Sequence, residues 1–197
     1  MAFDLFLYIF VYAVWLVYIV NSIYQNRKMK HYLPNKPIEL LTIPFYILAV
    51  YTFFILDKGL MNILSKKIPL SIFSSFFSLP SILLGIIFLV LSVILYAYLN
   101  FFTESFPSCI AMKNNRPLEG IYKYVRHPSC YTFLFICFGT ALCLQNFAIF
   151  VMAIVNHICL YFYYMIEESQ IRKTSPYYNE YLKKSNRVLP NFIKFKK

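Results

Sequence analysis

Acidic residues are scarce in this chain, 8 Asp and Glu against 19 Lys and Arg, and charged residues of all kinds make up only 14% of its 197 positions. With 60% of the residues apolar and 20% aromatic, the interior of an ordinary soluble domain is too small to hide this much hydrophobic surface. The net charge of +11 sits in loops and near the C-terminus. No long soluble basic face is left to bind a duplex, so the basic loops point to membrane orientation and anionic lipid, not to nucleic acid. The five cysteines, at 109, 130, 137, 143 and 159, form no C-x-x-C pair, and three lie inside apolar runs. That pattern excludes a thiol metal site and a secreted disulfide framework; a buried thiol serves as a small apolar side chain. No metal is expected. No basic residue precedes the first apolar run, whereas Arg27, Lys28 and Lys30 follow it, which predicts a retained span and not a cleaved signal.

Long apolar runs are what the chain has in plenty. Residues 3–24 form the first, enough at about 1.5 Å per residue to cross roughly 30 Å of hydrocarbon. A basic link with Pro34 and Pro37 follows, and residues 39–56 form a second span that Asp57-Lys58-Gly59 is expected to end. Residues 60–78 hold Lys66-Lys67 and Pro69 too close to apolar residues for a span and read as an interfacial segment. Residues 79–102 are free of charge and make the third span. A polar stretch over 103–129 then leads to residues 131–144 and 147–165, which read as a tight hairpin broken at Gln145-Asn146.

The expected fold is therefore all-α, a single integral membrane domain over 1–197 with about five transmembrane helices. Three spans and the interfacial segment fill 1–102, and a catalytic region fills 103–197. Counted on alternate sides, sixteen Lys and Arg fall in 25–38, 103–129 and 166–197, against three in 57–78 and none at 145–146. The excess places the C-terminus in the cytoplasm. The compartment would be the endoplasmic reticulum in a eukaryote and the inner or plasma membrane in a bacterium.

Two polar islands interrupt the greasy sequence. One is G-I-Y-K-Y-V-R-H-P-S-C-Y at 120–131; the other is Glu167-Glu168, one hairpin later on the same side. Arg126 and His127 should meet the two glutamates where the fourth span begins and the fifth ends, and Tyr122, Arg126 and His127 bring cationic and hydrogen-bonding groups to the anions. Such a site suits a small zwitterion. A plainer alternative is that Arg126 and the glutamates pair only with each other and anchor the helices at the headgroups. Pro128 holds His127 extended and then suits a first helical turn, so the loop enters a helix N-terminus, where anions are favoured.

In order, Gly120-Ile121-Tyr122, Arg126-His127-Pro128-Ser129, Gly139-Thr140, Glu167-Glu168-x-x-Ile171, Tyr178-x-x-Tyr181 and Arg187-x-x-Pro190 resemble the C-terminal half of the isoprenylcysteine carboxyl methyltransferase and phospholipid methyltransferase superfamily. The likeness covers about residues 115–192. It implies an integral membrane enzyme that takes S-adenosylmethionine from the cytosol and a lipid-like or prenylated acceptor from the bilayer. It further implies that Tyr122, His127, Pro128, Ser129, Cys130 and Glu167 line the cofactor pocket, with Arg126 and Glu168 as catalytic candidates. A carboxylate suits the cofactor's ammonium, and an aromatic face suits its sulfonium. The expected activity is closest to protein-S-isoprenylcysteine carboxyl O-methylation, with ethanolamine-phospholipid N-methylation as the alternative.

The chain departs from the superfamily pattern at several places. Cys130 stands where R-H-P-x-Y has its tyrosine, with Tyr131 displaced by one position and Thr132 two places on. Tyr163 replaces the arginine that the prenylcysteine enzymes carry four residues before the first glutamate, and Ser175-Pro176 replaces an aromatic-glycine pair. An NADPH-dependent reductase of the sterol type and a silent membrane scaffold remain further alternatives. His157, Tyr161, Tyr164 and Glu168 share one helix face and are candidates to line an acceptor tunnel, or simply to pack. His31 reads as solvated. Tyr177, Tyr178 and Tyr181 with Lys183, Lys184 and Arg187 read as an interfacial helix.

Overall fold

A computed structural model describes residues 2–30, 42–64, 79–99, 120–174 and 177–189. These residues form six helices and no strands: α1 (Ala2–Lys30), α2 (Ile43–Leu64), α3 (Leu79–Ala97), α4 (Ser129–Leu144), α5 (Phe147–Thr174) and α6 (Tyr177–Lys184), with a short 3-10 turn at Gly120–Lys123. The all-helical expectation holds for them. The basic link over 31–41, with His31, and most of the expected interfacial segment, residues 65–78, lie outside the described residues.

Several helices outrun the apolar stretches that announce them. α1 continues to Lys30, six residues past the expected end of its span. α2 starts at Ile43 and runs through Asp57-Lys58-Gly59 to Leu64, where an end was expected. Charge ends an apolar run, but it removes no backbone hydrogen bond, so the helix does not stop there. The Lys58 ammonium folds back to 4.3 Å from the centre of the Phe54 ring one turn earlier. α5 likewise continues past residue 165 to Thr174, because Glu167 and Glu168 are good helix formers.

The hairpin forms where expected. Gln145 takes a left-handed conformation (φ 50°) that ends α4, and the Asn146 side chain accepts the Ile149 N–H at 3.1 Å as the N-cap of α5. At the other end of α4, Pro128 is already helical, so the helix begins at Ser129, two residues before the expected start.

α4 packs chiefly on α3 and α5, and α2 packs on α1 and α5. The tightest approach is between α3 and α4. A Cβ on Gly85 would lie 2.8 Å from the Cys143 nitrogen and 2.9 Å from the Gly139 oxygen; one on Gly139 would lie 3.0 Å from the Gly85 oxygen. Two glycines therefore let backbone touch backbone, a contact that favours helix association in lipid, where apolar burial supplies little drive.

Trp15 of α1, fully buried, gives its indole N–H to the Thr140 hydroxyl at 2.8 Å, and the Tyr18 hydroxyl donates to the Ser92 carbonyl at 2.9 Å. Phe45 lies 5.5 Å from Trp15 and 5.1 Å from Phe133, centre to centre. These contacts tie the middle of α1 to α3, to α4 and to the first turn of α2.

The outward faces are apolar: Phe6, Ile9 and Val20 on α1, Val50 on α2, Ile87 and Ile94 on α3, and Ile154 and Ile158 on α5 are exposed. Two helices, over Pro80–Ala97 and Phe147–Lys173, are each long and apolar enough to cross a bilayer, while the apolar parts of α1 (Leu5–Val20) and α4 (Ser129–Leu144) are shorter. Gly85→Ala should lower stability by about 1–3 kcal/mol, since a backbone contact has no flexible end to yield. Thermal unfolding in detergent measures this, and an unchanged midpoint would show that α3 and α4 do not cross at these glycines.

Candidate functional site

Gly120 opens the site loop in a left-handed conformation (φ 60°), and a Cβ there would also meet the Tyr98 hydroxyl at 3.1 Å, so glycine fits where other residues would strain. The turn leads to Val125, which bridges in parallel to Asn186. The Arg126 N–H donates to the Asn186 carbonyl (2.9 Å) and the His127 N–H to the Arg187 carbonyl (3.1 Å). The loop is thus laid against the segment that follows α6.

That segment is tied down along its length. The Tyr181 hydroxyl donates to the Tyr122 carbonyl and the Tyr131 hydroxyl to the Val188 carbonyl, both at 2.6 Å. One Nη of Arg126 donates to the Ser185 carbonyl and, at 3.4 Å, to that of Leu182. Beneath it, Ile171 and Tyr178 form a small apolar core with Tyr181 and Leu182. Burial pushes the phenols of Tyr178 and Tyr181 up in pKa, which keeps them neutral.

Glu168 is the meeting point. Its Oε1 accepts Arg126 Nε at 2.8 Å and lies 3.2 Å from His127 Nε2, and its Oε2 accepts an Nη of Arg187 at 2.8 Å. Its side chain is only 2% exposed. An ionised carboxylate so enclosed persists because three donors replace water. The hydrogen bond to Glu168 in turn holds the Arg187 guanidinium above its ordinary pKa.

Glu167, also buried, has a different environment. His127 Nδ1 lies 3.7 Å from its Oε2, and among the described residues its carboxylate enters no hydrogen bond. Adjacent positions on a helix point about 100° apart, so one glutamate can be consumed by the protein while its neighbour remains open. His127 stands between them, one ring nitrogen toward each carboxylate, with its ring stacked on Tyr164 at 4.2 Å.

The structure thus brings together Arg126, His127, Glu167 and Glu168, as expected from the two islands. Ser129 Oγ lies 3.4 Å from the Tyr164 hydroxyl, and Cys130 is buried against Leu160 and Tyr164. Pro128 is buried and starts α4, while Tyr122 is buried in the 3-10 turn and joins the assembly through its carbonyl.

The shared face of α5 is not uniform. Tyr164 and Glu168 are buried, Tyr161 is 48% exposed, and His157 is half-buried with Nδ1 2.8 Å from the Ala153 carbonyl. The sequence puts Arg187 in an interfacial helix and Tyr164 on a face that lines a tunnel or packs; the structure sets them against Glu168 and His127. The Arg187-x-x-Pro190 fragment was the available signal for Arg187, and the 19 residues separating it from Glu168 hid its partner.

An all-helical protein with apolar outer faces and a charged cluster at one end of its bundle has the make-up of a membrane protein with an interfacial site. The chain belongs to the phospholipid methyltransferase family, whose family model matches residues 73–177, and so to the isoprenylcysteine carboxyl methyltransferase-like superfamily of membrane methyltransferases. The match takes in α3, which the motif likeness left out, and ends before Arg187. No curated protein and no solved structure matches the chain.

Glu168 and Glu167 should respond unequally to loss of charge. Glu168→Gln leaves two guanidiniums facing a neutral group and should cost about 3–5 kcal/mol, whereas Glu167→Gln removes a charge that no hydrogen bond compensates and should cost less than about 1 kcal/mol. Thermal or denaturant unfolding of both variants tests this, and equal losses would contradict the division between them.

Proposed function

We propose that the protein is an S-adenosylmethionine-dependent methyltransferase that works at the cytosolic edge of the membrane on an acceptor held in the bilayer. The observation that carries this reading is Glu167, a buried carboxylate with uncommitted hydrogen-bonding capacity beside His127. An ammonium group fits it, and the family match supplies the reaction class. In this reading Glu167 accepts the ammonium of the cofactor, Tyr122, Pro128, Ser129 and Cys130 shape the pocket wall, and Arg126 and Glu168 hold the loop and the C-terminal segment in place. When bound, S-adenosylmethionine supplies a methyl carbon already activated by a sulfonium. The chain's own residues need only align that carbon with the acceptor and exclude water.

The family match favours a phospholipid amine as acceptor, and Tyr163 in place of an arginine weighs against the prenylcysteine carboxylate. A carboxylate needs no deprotonation, but an ammonium must lose a proton before it attacks. Glu168 is held by three donors and is poorly placed to take that proton. His127 Nδ1, on the Glu167 side, is the better-placed acceptor. The reductase and scaffold readings gain no observation. The basic-residue asymmetry supports a cytosolic site and a multi-pass arrangement of the helices.

Calorimetric titration of S-adenosylmethionine into the detergent-solubilised protein should show binding that weakens by tenfold or more in Glu167→Gln, the loss of about one charged hydrogen bond. Undiminished affinity in that variant would remove Glu167 from the pocket. Transfer of a labelled methyl group to amine-bearing lipids in a membrane extract should accompany binding.

A further inference from the structure

Arg187 is the cation of the cluster that reaches the exposed Tyr161 of α5. Two of its N–H groups are engaged, one by Glu168 Oε2 at 2.8 Å and one by the Tyr161 hydroxyl at 3.0 Å, and the guanidinium lies 5.1 Å from the centre of the Tyr161 ring. A guanidinium carries five donors. Among the described residues the others have no partner, and Nε is enclosed without one. The side chain is nevertheless 22% exposed. Arg126 also holds Glu168, so two guanidiniums share that one carboxylate and Arg187 keeps donors to spare.

The surroundings of Arg187 are apolar and outward. Tyr161 is half exposed on α5, and Ile158, Phe162 and Met165 are exposed around it. A ligand meeting Arg187 from this side would bring an anion at its head and hydrocarbon along the helix. We infer that Arg187, braced by Tyr161, is the anion subsite of the acceptor and holds the phosphodiester of an amine-bearing glycerophospholipid lying against the outer face of α5. This inference rests on the methyltransferase reading and adds to it the chemical group that selects the acceptor.

Geometry separates this acceptor from a prenylcysteine. In a prenylcysteine the anion is itself the group that receives the methyl, so it must lie at the donor. Arg187 binds the Oε2 side of Glu168, whereas His127 contacts Oε1 and reaches Glu167 with its other nitrogen. An anion on Arg187 is therefore set apart from the Glu167 pocket by a carboxylate and an imidazole. A phosphodiester joined to its amine through two carbons spans such an offset, and the planar fork of arginine suits its paired oxygens.

The test uses the full chain in detergent and two short-chain lipids, dihexanoyl phosphatidylethanolamine and a dihexanoylglycerol whose aminoethyl group is joined by an ether in place of the phosphodiester. By calorimetry the native protein should bind the phosphodiester lipid about tenfold or more tightly than the ether, as expected of one charged hydrogen-bonded contact. Arg187→Lys, which keeps the charge and loses the fork, should abolish most of that preference. Tyr161→Phe, which keeps the ring, should reduce the preference by about threefold and decides the matter if the lysine variant does not fold. Equal binding of the two lipids by the native protein, or equal losses for both in the variants, would overturn the assignment. Failure to bind S-adenosylmethionine would instead sink the methyltransferase reading, and the lipid comparison would still decide the role of Arg187.

Discussion

A carboxylate closed off from water must be solvated by the protein, and Glu168 meets that demand with Arg126, His127 and Arg187. The donors come from the loop before α4 and from the segment after α6, so the electrostatic requirement of one side chain brings two separate stretches of chain onto the end of α5. Desolvating the charges costs several kcal/mol per ion, and the cost is recovered only when every partner is present. The backbone bridge between Val125 and Asn186 and the tyrosine hydroxyls on main-chain carbonyls reinforce the same closure. With that end assembled, His127 has no freedom to turn, because Tyr164 stacks on its face and a carboxylate stands at each nitrogen.

The paired glutamates show how a helix divides labour between neighbours. Both are buried, but the helical twist sends Glu168 toward the arginines and leaves Glu167 with the imidazole at 3.7 Å. Uniform pairing would have produced an anchor and nothing more. The plain alternative, that the arginine and the glutamates merely tie the helices together, describes Glu168 well and Glu167 poorly.

Below this end the bundle relies on a different interaction. Lipid offers apolar side chains nearly the same environment as a protein core, so close backbone approach and satisfied polar groups do more of the work. The Gly85 and Gly139 contact and the hydrogen bonds of Trp15 and Tyr18 are of that kind. They tie the middle of α1, α3 and the last turns of α4 together, and the site loop leads into the other end of α4.

Much of this was readable from residue order alone. Hydropathy marks the apolar helices, Gln145-Asn146 marks the hairpin, and the R-H-P and E-E fragments mark the two halves of the site, because each rests on local chemistry: apolar length, turn preference, or a charge that greasy sequence tolerates only for a reason. Helix ends were misplaced at Asp57-Lys58-Gly59 and beyond residue 165, since hydropathy reports surroundings and the hydrogen-bond ladder does not. Which glutamate is consumed, that Arg187 reaches back 19 residues to Glu168 and clasps Tyr161, and that Cys130 packs under Tyr164 were decided by tertiary structure. A carboxylate's partners depend on which groups share its small dry volume, and that volume exists only once the loop, α5 and the C-terminal segment have closed around it.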